Sequence, residues 1–244
     1  MKSMIFAAGL GTRLRPLTDS IPKALVPLAG QTLLEYQIRK LKEAGIEDII
    51  INIHHFPEQI RNYLTEHHNF GMNIALSDET EQLLDTGGGL KKASWFFRDD
   101  ETVLVLNVDI LSNINLQHLI ASHQASDMAT VVVSKRDTQR YLLFDNAQHL
   151  QGWTNIRTGE VRGKAGIAVD NLQHLAFSGM QIINPAILRF AEGLGERFSL
   201  IDLYMRACHE TNISAYIPKD YRMMDVGKIE HIQEAEDFAE SLRV

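Results

Sequence analysis

The first apolar run and the loop after it constrain this chain more than any other segment. The run Met4–Phe6 leads directly into a loop that contains two glycines, Gly9 and Gly11. Three basic side chains follow the glycines: Arg13, Arg15 and Lys23. Because glycine has no Cβ and tolerates positive φ, its backbone N–H groups can approach an anion closely. An apolar strand followed by this loop therefore predicts a site that holds a polyphosphate.

Two better-known phosphate loops do not fit this segment. A dinucleotide fingerprint needs a third small residue at the position of Leu14. A Walker A loop needs Ser or Thr after Gly-Lys, and neither Gly163-Lys164 nor Gly227-Lys228 has one. An ordinary solvated glycine turn is a third interpretation. The complete pattern G-x-G-T-R-x-x-P-x-T-x-x-x-P-K-x-L is much more specific than such a turn.

The segment from Met4 to Leu25 closely resembles the N-terminal signature of sugar-1-phosphate nucleotidyltransferases, also called NDP-sugar pyrophosphorylases. Leu84–Gly89 and Met224–Gly227 match further segments of that family. The resemblance extends from the first strand to the last helix. It is closest to the short N-acetylmuramate-1-phosphate uridylyltransferases and the small mannose-1-phosphate guanylyltransferases.

The resemblance implies that the glycine loop wraps a nucleoside triphosphate and that Arg13 and Lys23 contact its phosphates. It also implies that Leu84–Gly89 cradles the base and ribose, with the preceding residues, from Glu79 to Gln82, placed to reach the base edge. Successive glycines at a helix start would expose N–H groups and the positive end of the helix dipole. A flexible loop is the alternative. The expected nucleotide-binding residues are Ala8, Gly9, Gly11, Thr12, Arg13, Lys23, Thr86, Gly87 and Gly88.

The family's two metal carboxylates match Asp109 and Asp225, which implies a Mg²⁺ cofactor. Mg²⁺ commonly takes one or two protein carboxylates and completes its shell with water and phosphate oxygens. Helix-capping or loop aspartates are the alternative for each residue. The chain departs from the family at Val108, where glycine is usual. The expected catalytic residues are Arg13, Lys23 and Asp109.

The acceptor side of the site is expected in the second half of the chain. Phe177–Met180 resembles the family's acceptor-sugar motif, and Trp153 lies in the segment that precedes it. Two interpretations stay open: Trp153 and Asn155 contact the sugar ring, or Trp153 packs and Asn155 only caps a turn. Lys164 matches the family's phosphate-binding lysine only loosely. The expected sugar-phosphate-binding residues are Asn107, Asn155, Ser178 and Gly179.

The reaction implied is nucleotidyl transfer, in which an oxygen of a sugar 1-phosphate attacks the α-phosphorus of the triphosphate. A phosphate monoester is already largely dianionic at neutral pH, so no activated protein nucleophile is needed. The sequence agrees, since it lacks a G-x-S-x-G motif and its one cysteine, Cys208, lies in an amphipathic helical pattern. Two alternatives stay open: a phosphocholine-type cytidylyltransferase, and a regulatory nucleotide-binding subunit without turnover.

The composition of the chain limits the kinds of partner and compartment that we expect for it. The 244 residues carry 31 acidic and 24 basic side chains, a formal charge of −7, which disfavours nucleic-acid binding. A single cysteine excludes an internal disulfide. Because no leader and no apolar run of about 18–20 residues occurs, we expect a cytoplasmic protein that does not enter membranes. The short chain and triple glycine favour UTP and an amino-sugar phosphate; whether it forms a homo-oligomer stays open.

Apolar strand patterns alternate with helical patterns through the first half of the chain. This order predicts a Rossmann-like, doubly wound, mostly parallel sheet with a crevice at the carboxyl ends of its strands. Residues 141–181 predict a small inserted β-rich lobe. We therefore expect a single catalytic domain over residues 1–244, with a nucleotide-binding half near 1–135 and an acceptor half near 136–244. A helix is expected at 88–97 and a closing helix at 228–242.

Overall fold

The computed structural model describes residues 1–242, so the last two positions of the expected domain, 243–244, lie outside the described residues. Its strands are β1 (Lys2–Phe6), β2 (Pro27–Leu28), β3 (Gln31–Thr32), β4 (Asp48–Ile53), β5 (Asn73–Asp78), β6 (Val103–Asn107), β7 (Ile110–Ser112), β8 (Asp127–Ser134), β9 (Arg140–Phe144), β10 (Leu150–Asn155), β11 (Glu160–Gly163), β12 (Gln173–Ile183), β13 (Asn212–Tyr216) and β14 (Met223–Asp225). Its α-helices are α1 (Leu33–Glu43), α2 (Pro57–Glu66), α3 (Asp85–Lys92), α4 (Leu116–Ser122), α5 (Leu200–Ala207) and α6 (Ile232–Ser241). None of the helices within residues 1–242 is long and apolar enough to cross a membrane.

The chain forms two compact units, and each contains more than one chain segment. Within the described residues, the first comprises Met1–Leu83, Val105–Leu116 and residues 221–242, and the second comprises Leu84–Leu104 and Gln117–Asp220. The α/β architecture and the mostly parallel sheet of the first unit confirm the fold class expected from the sequence.

The first unit is built on strands in the order β6, β1, β4, β5. β4 lies parallel to both β1 and β5, with Met4 beside Ile50 and Ile50 beside Ala75. Isoleucines fill β4 because a strand between two parallel neighbours is covered on both faces. The loop after β1 therefore begins at the carboxyl end of a central strand.

Helix α1 illustrates how the sequence encodes the helices of this unit. The Thr32 hydroxyl caps its N-terminus by accepting a hydrogen bond from Glu35 N at 3.1 Å. Leu34, Ile38 and Leu41 recur at helical spacing and are fully buried. Gln37 shares this buried face, and its polar end contacts the segment around Asp109, as described below.

The second unit contains a mixed sheet. β12 is antiparallel to β8 and also to β9, while β13 runs parallel to β8. β9, β10 and β11 form an antiparallel meander. This meander lies within residues 141–181, where the sequence predicts an inserted β-rich lobe.

The sequence and the structure differ mainly at short elements and at element ends. The helix expected to begin at the triple glycine begins earlier, at Asp85, and changes to a 3-10 turn at Ala93–Phe96. The long strand β12 is missing from the pattern analysis because its polar Gln181 and left-handed Gly179, with φ of +72°, interrupt the apolar run. The closing segment is a 3-10 turn, Ile229–His231, followed by α6.

Candidate active site

The glycine loop folds back on itself through Gly11. This residue has φ of +64°, and a Cβ there would lie 2.8 Å from Thr18 Cγ2 and 3.1 Å from Lys23 Cβ. The Thr18 hydroxyl donates a hydrogen bond to Gly11 O at 2.8 Å, which fixes this reversal. Gly11 is therefore required by both its conformation and its neighbours. At Gly9, by contrast, a Cβ would meet nothing within 4 Å.

The other loop residues named from the sequence differ in exposure. Ala8 is buried at the start of the loop, whereas Gly9, Thr12 and Arg13 are exposed. Thr12 begins a 3-10 turn that ends at the buried Leu14. The loop thus has a buried base and an exposed, partly cationic rim. Such a rim is accessible to an anionic ligand from solvent.

Lys23 and Asp109 form an ion pair within this unit, although they are 86 residues apart in sequence. The lysine side chain is 9% exposed and the aspartate side chain 21% exposed. Lys23 begins the 3-10 turn Lys23–Leu25, directly after Pro22. Because the pair is largely buried, little water screens its charges. Each charge therefore acts on its surroundings more strongly than a surface charge would. The structure therefore brings together two of the three expected catalytic residues.

Asp109 occupies the turn between β6 and β7. The backbone on either side of it is held by Gln37, whose Nε2 donates to Ile110 O at 2.7 Å and to Val108 O at 3.4 Å. The Val108 N–H donates to Phe6 O at 3.1 Å, which ties the same turn to β1. The turn is thus fixed by three hydrogen bonds. Asn107, an expected sugar-phosphate ligand, is the half-buried last residue of β6.

Asp225 lies next to Asp109 because two short strands pair. β14 is antiparallel to β7, with Asp225 opposite Ile110, and the Val226 N–H donates to Asp109 O at 2.9 Å. The two aspartates expected to bind a metal therefore sit on adjoining chain segments. Asp225 is exposed, whereas Asp109 is partly enclosed.

Arg13 lies beside the same segment. A Cβ on Gly227 would lie 2.7 Å from Asp225 Oδ1 and 3.1 Å from Arg13 Nη2. Gly227 is needed because any side chain would displace one of these charged groups. The guanidinium of Arg15, which also follows the glycines, instead pairs with Asp19 at 3.1 Å on the exposed surface. Arg13 rather than Arg15 therefore accompanies the two aspartates.

The donor set fits Mg²⁺ but not a metal held by protein ligands alone. Among residues 1–242 no group of three or more His, Cys, Asp or Glu residues is arranged to hold a metal ion. Two carboxylates on adjoining segments match the usual protein share of a Mg²⁺ shell, which phosphate oxygens and water complete. Asp109 and Asp225 are the residues that would hold it.

The triple-glycine segment of the second unit packs closely against the segment before α5. The N–H groups of Gly87 and Gly88 donate to Phe198 O at 2.9 and 3.0 Å. A Cβ would lie 2.5 Å from the Phe198 ring at Gly87 and 2.2 Å from Glu196 O at Gly88. These glycines therefore let α3 pack against the segment before α5. The expectation that their N–H groups are open to a ligand is wrong.

Thr86 takes part in the same packing. Its hydroxyl accepts a hydrogen bond from Leu200 N at 2.9 Å, and its N–H donates to Asp85 Oδ1 at 2.6 Å. The segment is thus held to the first turn of α5, where Ser199 and Asp202 form a capping box. Nucleotide binding by Thr86, Gly87 and Gly88 stays a prediction.

The expected sugar-binding residues of the second unit lie on two strands. Asn155 is the last residue of β10, and its side chain accepts a hydrogen bond from Arg157 N at 3.1 Å, so it does cap a turn. Ser178 and Gly179 lie in β12, where the register with β8 shifts between Phe177 and Gln181. The Ser178 side chain is fully buried and its hydroxyl has no hydrogen-bond partner. Their binding roles stay predictions.

The structure gives the surroundings of three other side chains named from the sequence. Cys208 is buried, and burial raises the pKa of its thiol, as expected for a core residue rather than a nucleophile. Trp153 packs under the Arg162 guanidinium, 5.8 Å from the ring centre. Glu79 is fully buried and accepts a hydrogen bond from Asn52 Nδ2, so the expectation that it reaches a base edge is wrong.

Sequence reasoning missed the residues that hold the aspartate turn in place. Gln37 is one, and Lys40 is another, since its Nζ donates to Ser112 O at 2.7 Å and to Ser112 Oγ at 2.9 Å. Tyr36 also donates to Ser112 O, at 3.1 Å. A glutamine on the apolar stripe of α1 was the one available signal. Its partner could not be identified, because the turn at Asp109 is more than 70 residues away.

Comparisons with known proteins agree with this geometry. Residues 2–144 match the family model described as "Nucleotidyl transferase". The chain is 31% identical over 228 residues to an N-acetylmuramate alpha-1-phosphate uridylyltransferase of Caulobacter vibrioides, with 89% of this chain and 88% of that protein aligned. It is 41% identical over 138 residues to a mannose-1-phosphate guanyltransferase of Gibberella zeae, where 55% of this chain aligns with 38% of the fungal enzyme.

Solved structures show the same fold at lower identity. A UDP-glucose pyrophosphorylase complexed with UDP-glucose superimposes with a TM-score of 0.78 and 20% identity over all of both chains. An inositol-1-phosphate CTP transferase from T. maritima gives a TM-score of 0.78 at 13% identity, covering 99% of this chain and 96% of that one. At these identities the likeness establishes the fold and leaves the substrate open.

Proposed function

We propose, from the premise that this chain belongs to the nucleotidyl transferase family, that it transfers a nucleotidyl group to a sugar 1-phosphate. The products are an NDP-sugar and pyrophosphate, which makes the protein a sugar-1-phosphate nucleotidyltransferase. The observation that carries the proposal is the buried pair of Lys23 and Asp109, with Arg13 and Asp225 on adjoining segments. The catalytic, metal-binding and substrate-binding assignments are part of the proposal.

The chemistry needs charge compensation more than a nucleophile. An oxygen of the sugar phosphate forms a bond to the α-phosphorus of the triphosphate. The bond from that phosphorus to the bridging oxygen of the β-phosphate breaks, and pyrophosphate takes the electron pair. Both reactants are anions, so the main barriers are their approach and the charge that develops on the leaving group. Cations at fixed positions lower both barriers, because they reduce the repulsion between the reactants and stabilise the charge on the leaving group.

Each residue has a role that follows from its position. The ammonium group of Lys23 is enclosed and is held by Asp109. It therefore offers a fixed positive charge that needs no reorganisation when phosphates bind. Arg13 stands on the exposed rim and can donate two hydrogen bonds to phosphate oxygens. The open space at Gly9 allows the loop backbone to approach the triphosphate.

Asp109 and Asp225 would hold a Mg²⁺ ion, which when bound neutralises phosphate charge and aligns the reacting groups. The requirement for Mg²⁺ is supported by the donor set described above. The same two aspartates carry negative charge close to Lys23 and Arg13. Without the cations this charge would repel an incoming triphosphate.

A uridylyltransferase acting on an amino-sugar phosphate is the most specific form of the proposal. It is supported by the relative of Caulobacter vibrioides, which aligns over nearly its whole length. The fungal guanyltransferases share more identity over a shorter region, so GTP with mannose 1-phosphate is the competing pair. We expect the protein to act in the cytoplasm, where nucleoside triphosphates are available.

The test is pyrophosphate release from the purified protein with Mg²⁺, crossing four NTPs with a panel of sugar 1-phosphates. The panel includes N-acetylmuramate, glucose and mannose 1-phosphates, and phosphocholine. Release that requires one NTP and one sugar phosphate together supports the proposal and identifies both substrates. Release with CTP and phosphocholine alone would replace it, and binding of an NTP without turnover would favour a regulatory subunit.

A further inference from the structure

A buried hydrogen-bond network lies below the start of the glycine loop. Asn52 is near the end of β4, between Phe6 of β1 and Ser77 of β5, and its side chain is almost fully buried. Its Oδ1 accepts a hydrogen bond from Ala7 N at 2.7 Å. Ala7 is the first residue after β1, so a side chain supplies the acceptor at the point where that strand becomes the loop.

The other end of the Asn52 amide is held by Glu79. Asn52 Nδ2 donates to Glu79 Oε1 at 2.8 Å, and Glu79 has no exposed surface. A backbone N–H can only donate, so the atom that faces Ala7 must be Oδ1. Nδ2 must then face the carboxylate of Glu79, which accepts. The donor and acceptor pattern of the network therefore allows only one orientation of the amide.

Glu79 is itself fixed by its backbone. Its N–H donates to Ile53 O at 2.8 Å, which continues the ladder between β4 and β5. Its carbonyl lies 2.7 Å from His54 Nδ1, and because a carbonyl can only accept, this nitrogen carries the proton. The backbone of Glu79 is thus held by hydrogen bonds on both sides of the Cα that carries the carboxylate side chain. A buried carboxylate without a role would be costly to keep in such a place.

We infer that Glu79 is a positioning residue for the glycine loop. By holding the Asn52 amide in one orientation it fixes the direction of the Ala7 N–H, and with it the path of Ala8 and Gly9. The inference rests on the proposed function, because it assigns to this loop the binding of the triphosphate. Glu79 does not touch the nucleotide and acts through Asn52. Its loss should therefore weaken nucleotide binding and leave the affinity for the sugar phosphate unchanged.

The network can be broken and rebuilt with paired substitutions. Glu79→Leu removes the acceptor for Asn52 Nδ2, whereas Glu79→Gln keeps an amide oxygen that can accept from it. Asn52→Asp sets two carboxylates against each other. The double variant Asn52→Asp with Glu79→Gln reverses donor and acceptor, because the introduced glutamine amide donates and the introduced carboxylate accepts from both sides. Asp78→Asn, at the neighbouring exposed carboxylate that pairs with Arg61, is the matched control.

Two measurements are made on each folded variant at pH 8. The first is the hydrogen-exchange rate of the Ala7 amide by NMR. The second is the dissociation constant of the NTP that the panel identifies or, if no pair turns over, of UTP and GTP with Mg²⁺. We expect Glu79→Leu and Asn52→Asp to lose amide protection and to weaken binding about tenfold. Glu79→Gln, the double variant and Asp78→Asn should stay within about threefold.

The outcomes separate this inference from the proposed function. Unchanged Ala7 protection and nucleotide affinity in a folded Glu79→Leu variant would overturn the inference, as would failure of the double variant to recover either property. If the wild-type protein turns over no substrate pair while Ala7 protection follows the expected pattern, the proposed function fails and the positioning role stands. A merely structural role would lower the melting temperature without the recovery in the double variant.

Discussion

Lys23 and Asp109 form a largely buried ion pair that joins the turn after the glycine loop to the turn between β6 and β7. The first is the short 3-10 turn Lys23–Leu25, and the second is held by hydrogen bonds from Gln37. In the proposed chemistry, Lys23 is the cation that contacts the phosphates and Asp109 is a carboxylate ligand of Mg²⁺. Structure and proposed chemistry therefore depend on the same contact.

Lys23→Ala should lower kcat/KM by about 10²–10³, because a fixed cation for the transferred phosphates is lost. It also leaves Asp109 without its partner, so the negative charge near the phosphates increases. The measurement is steady-state pyrophosphate release, with circular dichroism to confirm folding. Lys42→Ala is the matched control, since that lysine lies on α1 and donates to Phe70 O at an exposed position. Equal rates in the wild type and a folded Lys23→Ala variant would rule out the assigned role.

Asp109→Asn should lower kcat by orders of magnitude and raise the Mg²⁺ concentration that gives half-maximal rate. An amide oxygen is a weaker ligand for Mg²⁺ than a carboxylate, and it does not neutralise Lys23. A Mg²⁺ titration of the rate in wild type, Asp109→Asn and Asp225→Asn measures the effect. Asp19→Asn, which alters only the surface pair with Arg15, should leave the titration unchanged. A shifted requirement in neither metal-site variant would contradict the metal assignment.

Gln37→Leu should destabilise the protein by about 1–3 kcal/mol, because the buried carbonyls of Val108 and Ile110 lose their donor. Activity should fall as well, since the same hydrogen bonds hold the turn that carries Asp109. Urea denaturation gives the free energy of unfolding, and assays at saturating Mg²⁺ give the rate. Wild-type stability in this variant would show that the two contacts contribute little.

Two substitutions should distinguish a glycine that is needed for packing from one that is needed for the approach of a ligand. Gly88→Ala places a Cβ 2.2 Å from Glu196 O, so we expect a loss of about 1–3 kcal/mol in stability. Gly9→Ala meets no protein atom within 4 Å and should keep the wild-type melting temperature while weakening nucleotide binding. Thermal melts with and without NTP measure both effects. A stable Gly88→Ala variant, or wild-type nucleotide affinity in Gly9→Ala, would contradict the respective role.

Lys40 should make stability depend on pH. Burial lowers the pKa of Lys40 to about 7 in the folded protein, from its ordinary value of 10.5. Between these values the unfolded chain binds more protons, so the free energy of unfolding should rise as pH increases from about 7 toward 10. Lys40→Met removes this titrating group, so the free energy of unfolding of that variant should rise less steeply with pH. Urea denaturation of both proteins at several pH values tests it, and parallel profiles would contradict the lowered pKa.

Much of the fold follows from local patterns. Helical spacing of leucines and isoleucines in α1 and the isoleucine run of β4 identify these elements, and their order predicts the parallel sheet. The positions of β7 and β14 do not follow, since each has three residues and is stabilised by the other across more than 100 positions. The sequence pattern locates Asp109 and Asp225 separately, while only this pairing brings them together.

Interpretation of the glycines was the least successful part of the sequence analysis. At Gly11 the reason for glycine lies within the loop itself, because the loop requires a positive φ there. At Gly87 and Gly88 the reason for glycine is a distant neighbour, Phe198 and the segment before α5. A glycine needed for close packing and one needed for a ligand look the same in a sequence. Only the identity of the neighbour distinguishes them.

The central claim is that a sugar phosphate oxygen attacks the α-phosphorus and pyrophosphate leaves. The most direct test uses a sugar 1-phosphate labelled with ¹⁸O at its nonbridging phosphate oxygens, with the matching NTP and Mg²⁺. Mass spectrometry should find all of the label in the NDP-sugar and none in the pyrophosphate. Label in pyrophosphate, or pyrophosphate released without any NDP-sugar, would contradict the proposed reaction.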